Sequence, residues 1–327
     1  MAINDNLAEI AILIYPDSLI SAIYGMSDLF RLSNMILLKH DGVKRPIIRV
    51  SHWQLKEGNG NEIERVSDTH PDLPNKPLIV IVPPSLIIPE ESQCPPIISN
   101  WLTSQYEEGA VMCSVCAGSF LLAQSGLLKD RSATTHWLFA EMMTQRFPDV
   151  RIDKDKMVID DGDIITAGGI MAWADLGLRL VHRIHGPTLM LETAKFLLID
   201  PPGREQRFYS SFSPPLQHGD SAILKLQHWL QANGAKDVTM AAMAEKAGME
   251  ERTFLRRFQK ATGMKPTEYC QHIRVHKAKE MIELSKQTID QVAWAVGYED
   301  AGAFRKVFQK ITGLAPGEYR IRFGMAA

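Results

Sequence analysis

The chain has 327 residues, 45% of them hydrophobic and 23% charged, with a net charge of −2. That composition describes a soluble globular protein, and the length suggests two domains. No apolar run reaches the roughly 18–20 residues that span a bilayer, and the opening MAINDNLAEI lacks a secretory signal. Four scattered cysteines, Cys94, Cys113, Cys116 and Cys270, exclude a disulfide scaffold, so a reducing cytoplasm is expected.

Along the chain, Ile10–Tyr15 and Leu78–Val82 are compact β-rich runs of buried-strand type, and Val111–Val115 and Ile164–Ala167 read as further strands. Amphipathic segments at 97–107, 120–127, 137–146 and 173–185 lie among them. Strands alternating with helices of this length predict an α/β domain with a mostly parallel sheet over residues 1–203.

Within it, CSVCAGSFLLAQSGLL (Cys113–Leu128) sets Cys116 between a strand and a helix that starts on small residues, Ala117–Ser119. This is the layout of a nucleophile elbow, which exposes a side chain at a helix N-terminus, lowers a thiol pKa and offers backbone N–H groups as an oxyanion hole. His136, in TTHW, is a candidate partner base. A small buried thiol beside a hydrogen-bonded histidine fits the same residues, and the pattern alone leaves both readings open. Cys113-x-x-Cys116 also has the spacing of a dithiol switch. On a strand, however, Cys113 turns into the core, and a bridge would require backbone movement if the Cβ vectors diverge. Ten scattered histidines show no ligand spacing, so no metal or other cofactor is expected.

The proline-, glycine- and serine-rich PPGREQRFYSSFSPPLQHGD has no apolar periodicity; residues 204–221 read as a linker. From Ser221 onward the pattern is helical only, and this part holds 17 Lys and Arg against 11 Asp and Glu. A basic domain on an acidic body suits a polyanionic partner, although a solvated surface gives the same count.

The all-α part, 222–327, contains one unit twice, fifty positions apart: FQKATGMKPTEY from Phe258 and FQKITGLAPGEY from Phe308. Each copy follows a helix and a glycine turn, at Gly248 and Gly297. In each second helix two phenylalanines four apart point inward, Phe254 with Phe258 and Phe304 with Phe308. Arg252, Leu255, Arg256 and Gln259 then face outward in the first copy, and Ala301, Gly302, Arg305, Lys306 and Gln309 in the second. A helical bundle with ordinary surface arginines fits one such motif. Two basic copies at matched spacing favour a pair of helix-turn-helix motifs that enter the major groove, where arginine binds guanine or phosphate.

The blocks AEKAGMEERTFLRRFQKATGMKPTEY, RVHKAKEMIEL and IDQVAWAVGYEDAGAFRKVFQKITGLAPGEYR resemble the DNA-binding domain of the AraC/XylS family of transcriptional regulators. The resemblance implies seven helices, with a long helix near Tyr269–Leu284 joining two recognition helices that enter successive major grooves. Carried onto this chain, the base-reading residues are Arg252, Leu255 and Arg256, then Ala301, Gly302, Arg305 and Lys306. Glu250 departs from the small polar helix start common in the first motif, but a carboxylate there still suits the helix dipole.

The stretches IYPDSLISAIYGMSDLF, SVCAGSFLLAQSGLLKDRSATTHW and FPDVRIDKDKMVIDDGDIITAGGIMAWADLGLRLV resemble the PfpI-like branch of the class I glutamine amidotransferase superfamily, which implies a flavodoxin-like parallel sheet. The whole chain resembles a GlxA-type AraC regulator. Enzymes of the superfamily add an acidic residue after the first strand and a glycine pair that opens the oxyanion hole. This chain has Ala22 at the acidic position and Pro83, Pro84 and Ser85 at the glycine pair, and proline has no N–H to donate. The expected protein is therefore not an enzyme. It is a homodimeric, DNA-binding regulator, an activator in contact with RNA polymerase, whose effector is a small metabolite of the amino-acid or amine type. The expected effector site is Cys116, Ala117, His136, Ala22 and Pro84. A Cys116-dependent amidotransferase-like or hydratase-like enzyme and a Cys116 redox sensor are the alternatives.

Overall fold

The computed structural model describes residues 7–40, 43, 45–56, 62–87, 95–201 and 203–325. Two compact units divide the chain, Met1–Gln206 and Arg207–Ala327.

At the centre of the first unit five strands run parallel: β1 (Ala8–Ile14), β2 (Ile48–Leu55), β4 (Ile79–Val82), β5 (Val111–Val115) and β9 (Ile164–Ala167). Two edge strands, β3 (Ile63–Asp68) and β8 (Val158–Asp160), pair antiparallel and complete the order β3-β2-β1-β4-β5-β9-β8. A separate two-stranded sheet joins β6 (Ser132–Ala133) to β7 (Arg151–Ile152). Numbered among themselves, the parallel strands run 2-1-3-4-5, the flavodoxin-like order, which reverses between β1 and β4. In such sheets ligands bind beyond the carboxyl ends of the strands at the reversal.

Helices cover both faces, and the central strands are mostly apolar for that reason. Ile10, Ile12, Ile79 and Ile81 pack under α1 (Ile20–Leu37), α5 (Trp173–His185) and α6 (Pro187–Leu197). Their alternates Ala11, Leu13, Val80 and Val82 pack under α2 (Pro96–Glu107), α3 (Gly118–Gln124) and α4 (Ala140–Arg146). The strands expected at 111–115 and 164–167 and the helix at 173–185 keep their bounds; the segment at 137–146 divides into a 3-10 turn and α4. A search for apolar runs passes over β2, whose IRVSHWQL carries buried polar groups. Arg49 is 3% exposed, pairs with Glu9 at 3.2 Å and with Asp68, and donates to the carbonyls of Leu73 and Pro74.

Among the described residues seven α-helices build the second unit: α7 (Ser221–Ala232), α8 (Met240–Lys246), α9 (Glu251–Thr262), α10 (Pro266–Leu284), α11 (Ile289–Ala295), α12 (Ala301–Thr312) and α13 (Pro316–Phe323). They enclose two hydrophobic cores, and α10 serves both. Tyr269, Cys270 and Ile273 enter the first core and Val275, Ala278 and Ile282 the second. The repeated dodecapeptide makes the same contacts in each. Phe258 meets Tyr269 edge-on at 5.2 Å, and Phe308 meets Tyr319 at 5.4 Å. Thr262 and Thr312 bond back to the carbonyls of Phe258 and Phe308, and Gly263 and Gly313 end the helices at φ +73° and +82°. A side chain there would be strained, so glycine closes both α9 and α12.

The segment read as a linker, 204–221, is held at both ends. Arg204 pairs with the buried Asp175, and Gln206 is itself buried in the first unit. Phe208, Phe212 and Asp220 are seated on the second. Its prolines and serines break periodicity, and its few large side chains nevertheless find partners.

Candidate functional site

Cys116 directly follows β5 with φ +53°, a left-handed conformation that costs a residue with a Cβ roughly 1–2 kcal/mol. Both of its backbone polar groups are tied down. The N–H donates to the Ala167 carbonyl at 2.7 Å, and the carbonyl accepts from Ser119 Oγ at 2.8 Å and Thr135 Oγ1 at 2.9 Å. A Cβ on Gly118 would stand 2.5 Å from the Val82 carbonyl oxygen and 2.7 Å from that of Pro83. Only glycine lets α3 start so close to the end of β4. The strand–turn–helix geometry expected of an elbow is thus formed.

Its electrostatics are not those of an activated thiol. Cys116 is fully buried, and burial pushes its pKa up to about 12, only partly offset by backbone N–H groups of Ala117 and His136 that point at the sulfur. The expected base is turned elsewhere: His136 Nδ1 accepts the Leu138 N–H at 3.2 Å, and its ring packs on Trp137 and Phe139. Burial also lowers the His136 pKa. His136 reaches Cys116 through its main chain rather than its imidazole.

The remaining positions proposed from the sequence are each held by the fold. Ala22 is fully buried in the same hydrophobic core as Cys116. The Pro84 carbonyl accepts the Leu19 N–H at 2.7 Å, and the Pro83 carbonyl accepts the Tyr15 hydroxyl at 2.6 Å. Where a glycine pair would supply N–H donors, this chain presents carbonyl acceptors. Ala117 is buried at the head of α3. Cys113 is buried, with its pKa raised by burial, and Cys113 and Cys116 are both free thiols. Cys94 lies outside the described residues. Among the described residues no group of three or more His, Cys, Asp and Glu is placed to hold a metal ion.

The sequence drew attention to the His136 ring, whereas the structure engages its neighbours and a glutamine seventy residues later. Gln206 is 2% exposed. Its amide nitrogen donates to Thr134 Oγ1 and to the carbonyls of Thr135 and Lys156, each at 2.9 Å, and its amide oxygen accepts the Trp137 N–H at 3.1 Å. Gly168 leaves the room, since a Cβ there would lie 2.0 Å from the Gln206 amide. The loop 134–137 therefore touches the Cys116 main chain on one side and holds Gln206 on the other. No local motif marks Gln206; its cradle is assembled from three separate segments.

In the second unit Gly248, at φ +66°, and Gly297, at φ +88°, turn the chain between paired helices. Phe254, Phe258, Phe304 and Phe308 are fully buried. Arg252, Leu255, Arg256, Arg305 and Lys306 are exposed on the opposite faces of α9 and α12. Arg305 pairs on the surface with Asp290. Two residues carried over from the family pattern sit differently: Ala301 is half-buried against the second core, and the Gly302 N–H donates to the capping Asp300 at 2.8 Å. Asp300 caps α12, while Glu250 ahead of α9 makes no side-chain cap.

The DJ-1/PfpI family profile matches residues 19–183, and that of the helix-turn-helix domain matches residues 243–322. The chain is 25% identical over 225 residues to the transcriptional regulator GbdR of Pseudomonas aeruginosa, covering 68% of this chain and 60% of that one. It therefore spans less than two thirds of that relative's length. It is 27% identical to the regulator ArgR of the same species, over 69% of this chain and 68% of that one. Against the regulator GlxA of Rhizobium meliloti it is 26% identical, over 64% and 65%. Among solved structures, Drosophila melanogaster DJ-1beta aligns at 19% identity with a TM-score of 0.44, covering 60% of this chain and all of that one. An AraC family transcriptional regulator from Pseudomonas putida aligns at 17% identity with a TM-score of 0.44, covering 59% of this chain and all of that one.

Proposed function

The chain belongs to the DJ-1/PfpI family, and from that premise, with a helix-turn-helix domain of AraC type behind the family fold, we propose that it is a sequence-specific DNA-binding transcriptional regulator. The observation that carries this reading is the pair of glycine-turned helices that bury Phe254, Phe258, Phe304 and Phe308 and expose Arg252, Arg256, Arg305 and Lys306. Such helices have the diameter of the major groove and the side chains to read guanine and bind phosphate. The test is selection of duplexes from a random pool by the full chain, followed by titration at fixed salt. Binding that is equal for selected and unselected DNA would count against a specific regulator.

The α/β unit, residues 1–203 in this reading, is the sensor. Its effector is a small metabolite held beyond the carboxyl ends of β1, β4 and β5, near Cys116, Ala117, His136, Ala22 and Pro84. Catalysis there is disfavoured by the thiol: with a pKa of about 12, roughly one molecule in 10⁵ carries a thiolate at pH 7. The loop 134–137 supports a route outward, because a ligand that moves it acts on Gln206, the last residue of the first unit. The effector favours one arrangement of a homodimer, and DNA affinity or contact with RNA polymerase changes with it. We assign the protein to the cytoplasm and give it the role of activator. Among the described residues no helix is long and apolar enough to cross a membrane. A thermal-shift screen of the full chain against metabolites, amino acids and amines first, tests the sensor, because a ligand at 100 times its Kd stabilises a fold by about 2.7 kcal/mol. A screen that moves no melting temperature sinks it.

A further inference from the structure

The chain from Arg207 to Asp220 runs across both halves of the helix-turn-helix unit. At its start, Phe208 is 8% exposed and packs at the end of the second recognition helix; a Cβ on Gly313, which terminates α12, would lie 2.7 Å from the Phe208 ring. Arg322 of α13 stacks over Phe208 and Tyr209 and donates to the Tyr209 hydroxyl at 3.0 Å. Tyr209 also meets Phe323 edge-on at 5.4 Å. These contacts belong to the second half.

Midway, Lys279 of α10 is 8% exposed and donates to the Ser210 carbonyl at 2.6 Å. Two residues on, Phe212 passes to the first half, where it meets Tyr269 at 5.1 Å and stacks on His272 at 5.0 Å. The Pro215 carbonyl accepts from Gln227, which also donates to the Tyr269 hydroxyl. At the end Asp220 caps α7 and pairs with Arg257 of the first recognition helix at 2.8 Å. The segment thus begins at one recognition helix and finishes at the other. Because the two halves have separate cores joined along α10, a second connection resists bending of that helix.

We propose that residues 207–220 are a positioning strap of the DNA-binding unit, which holds α9 and α12 at the separation at which they read the two halves of one DNA site. Phe208, Tyr209 and Phe212 are its anchors, with Lys279 and Arg322 as their partners. The proposal rests on the DNA-binding reading above. Two linked binding modules gain affinity through the effective concentration of the second once the first has bound, and that concentration is highest when the connection fixes the geometry. A loosened strap therefore weakens binding to the whole site but leaves each half-site interaction intact.

The test uses full-length protein and a duplex selected from random DNA by the wild type. Phe212→Ala and the milder Lys279→Met are titrated on that duplex, on the duplex with one half scrambled, and on duplexes whose halves are moved apart by one or two base pairs. The expected result is a loss of about tenfold on the whole site, less than about twofold on the half-scrambled duplex, and a flatter dependence on spacing. Equal proportional losses on both duplexes, or no loss on the whole site for both variants, overturn the strap. If the wild type selects no sequence at all, the regulator reading falls and the strap's role with it; that outcome precedes and is distinct from the variant results.

Discussion

The main-chain N–H of His136 points at the sulfur of Cys116, while the His136 ring accepts a bond from Leu138 and packs on two aromatic side chains. The pair has the spacing of a catalytic dyad without its chemistry. A donated N–H favours thiolate only slightly against the burial that opposes it.

Alkylation of the native protein should therefore be slow at Cys116. With the pKa near 12, the thiolate fraction at pH 8 lies about three orders of magnitude below that of a free cysteine, and iodoacetamide labelling should slow accordingly. The same shift has a consequence for stability. In the unfolded chain the thiol ionises near its ordinary 9.0, so above that pH the unfolded state binds fewer protons than the folded state. Its contribution is complete below pH 9 and declines as pH rises toward 12. Denaturant melts at pH 7 and pH 10 should show a smaller fall for Cys116→Ser than for the wild type.

Gln206 offers a test of the loop that joins the elbow to the chain leaving the first unit. Gln206→Ala removes the acceptor of the Trp137 N–H and a donor shared by Thr134, Thr135 and Lys156, and should cost about 1–3 kcal/mol in urea unfolding. Gln206→Glu should cost more, because a carboxylate would face three oxygen acceptors. Wild-type stability in both variants would remove the cradle from the account of how the fold holds this loop.

Gly118 and Gly169 separate the close approach from mere flexibility. A Cβ at Gly118 meets backbone oxygen at 2.5 Å, whereas at Gly169 nothing lies within 4 Å. Gly118→Ala should destabilise by about 3 kcal/mol, and Gly169→Ala should stay within about 0.5 kcal/mol of the wild type. Similar melting temperatures for the two variants contradict the packing of α3 on the end of β4.

Arg256→Ala and Arg305→Ala should each weaken specific DNA binding by about 1–3 kcal/mol while leaving the α/β unit's unfolding unchanged. Arg257 differs from both because its partner Asp220 is the cap of α7; its loss acts on the strap and α7 before it acts on DNA. Mobility-shift titrations in which neither Arg256→Ala nor Arg305→Ala loses affinity would displace α9 and α12 as the readers.

Period and local chemistry made much of the architecture legible. The i, i+4 phenylalanines, the glycine turns and the repeated F-Q-K-x-T-G segment place two helix pairs from the sequence alone, because the face a helix buries follows from its 3.6-residue repeat. The apolar runs of β1, β4, β5 and β9 are equally plain, since strands covered on both faces need no polar alternation. β2 escaped because Arg49 is satisfied by Glu9 and Asp68, residues forty and nineteen positions away that no window includes. The departures at Ala22, Pro83 and Pro84 were visible as residue types, and the structure adds that the proline carbonyls there are already engaged.

The sequence by itself determined that the chain is an α/β domain followed by a doubled helix-turn-helix domain, with a cysteine at a strand-to-helix turn. Those features depend on residues within one or two helical turns of each other. Only the tertiary structure decided which way His136 points, what Gln206 holds, and that a proline-rich stretch read as a linker is seated on the helices it leads into. Each of these depends on hydrogen bonds and ring contacts between residues up to about a hundred positions apart, such as Arg322 with Tyr209. Their energies come from burial and bond geometry that exist only once the chain has folded.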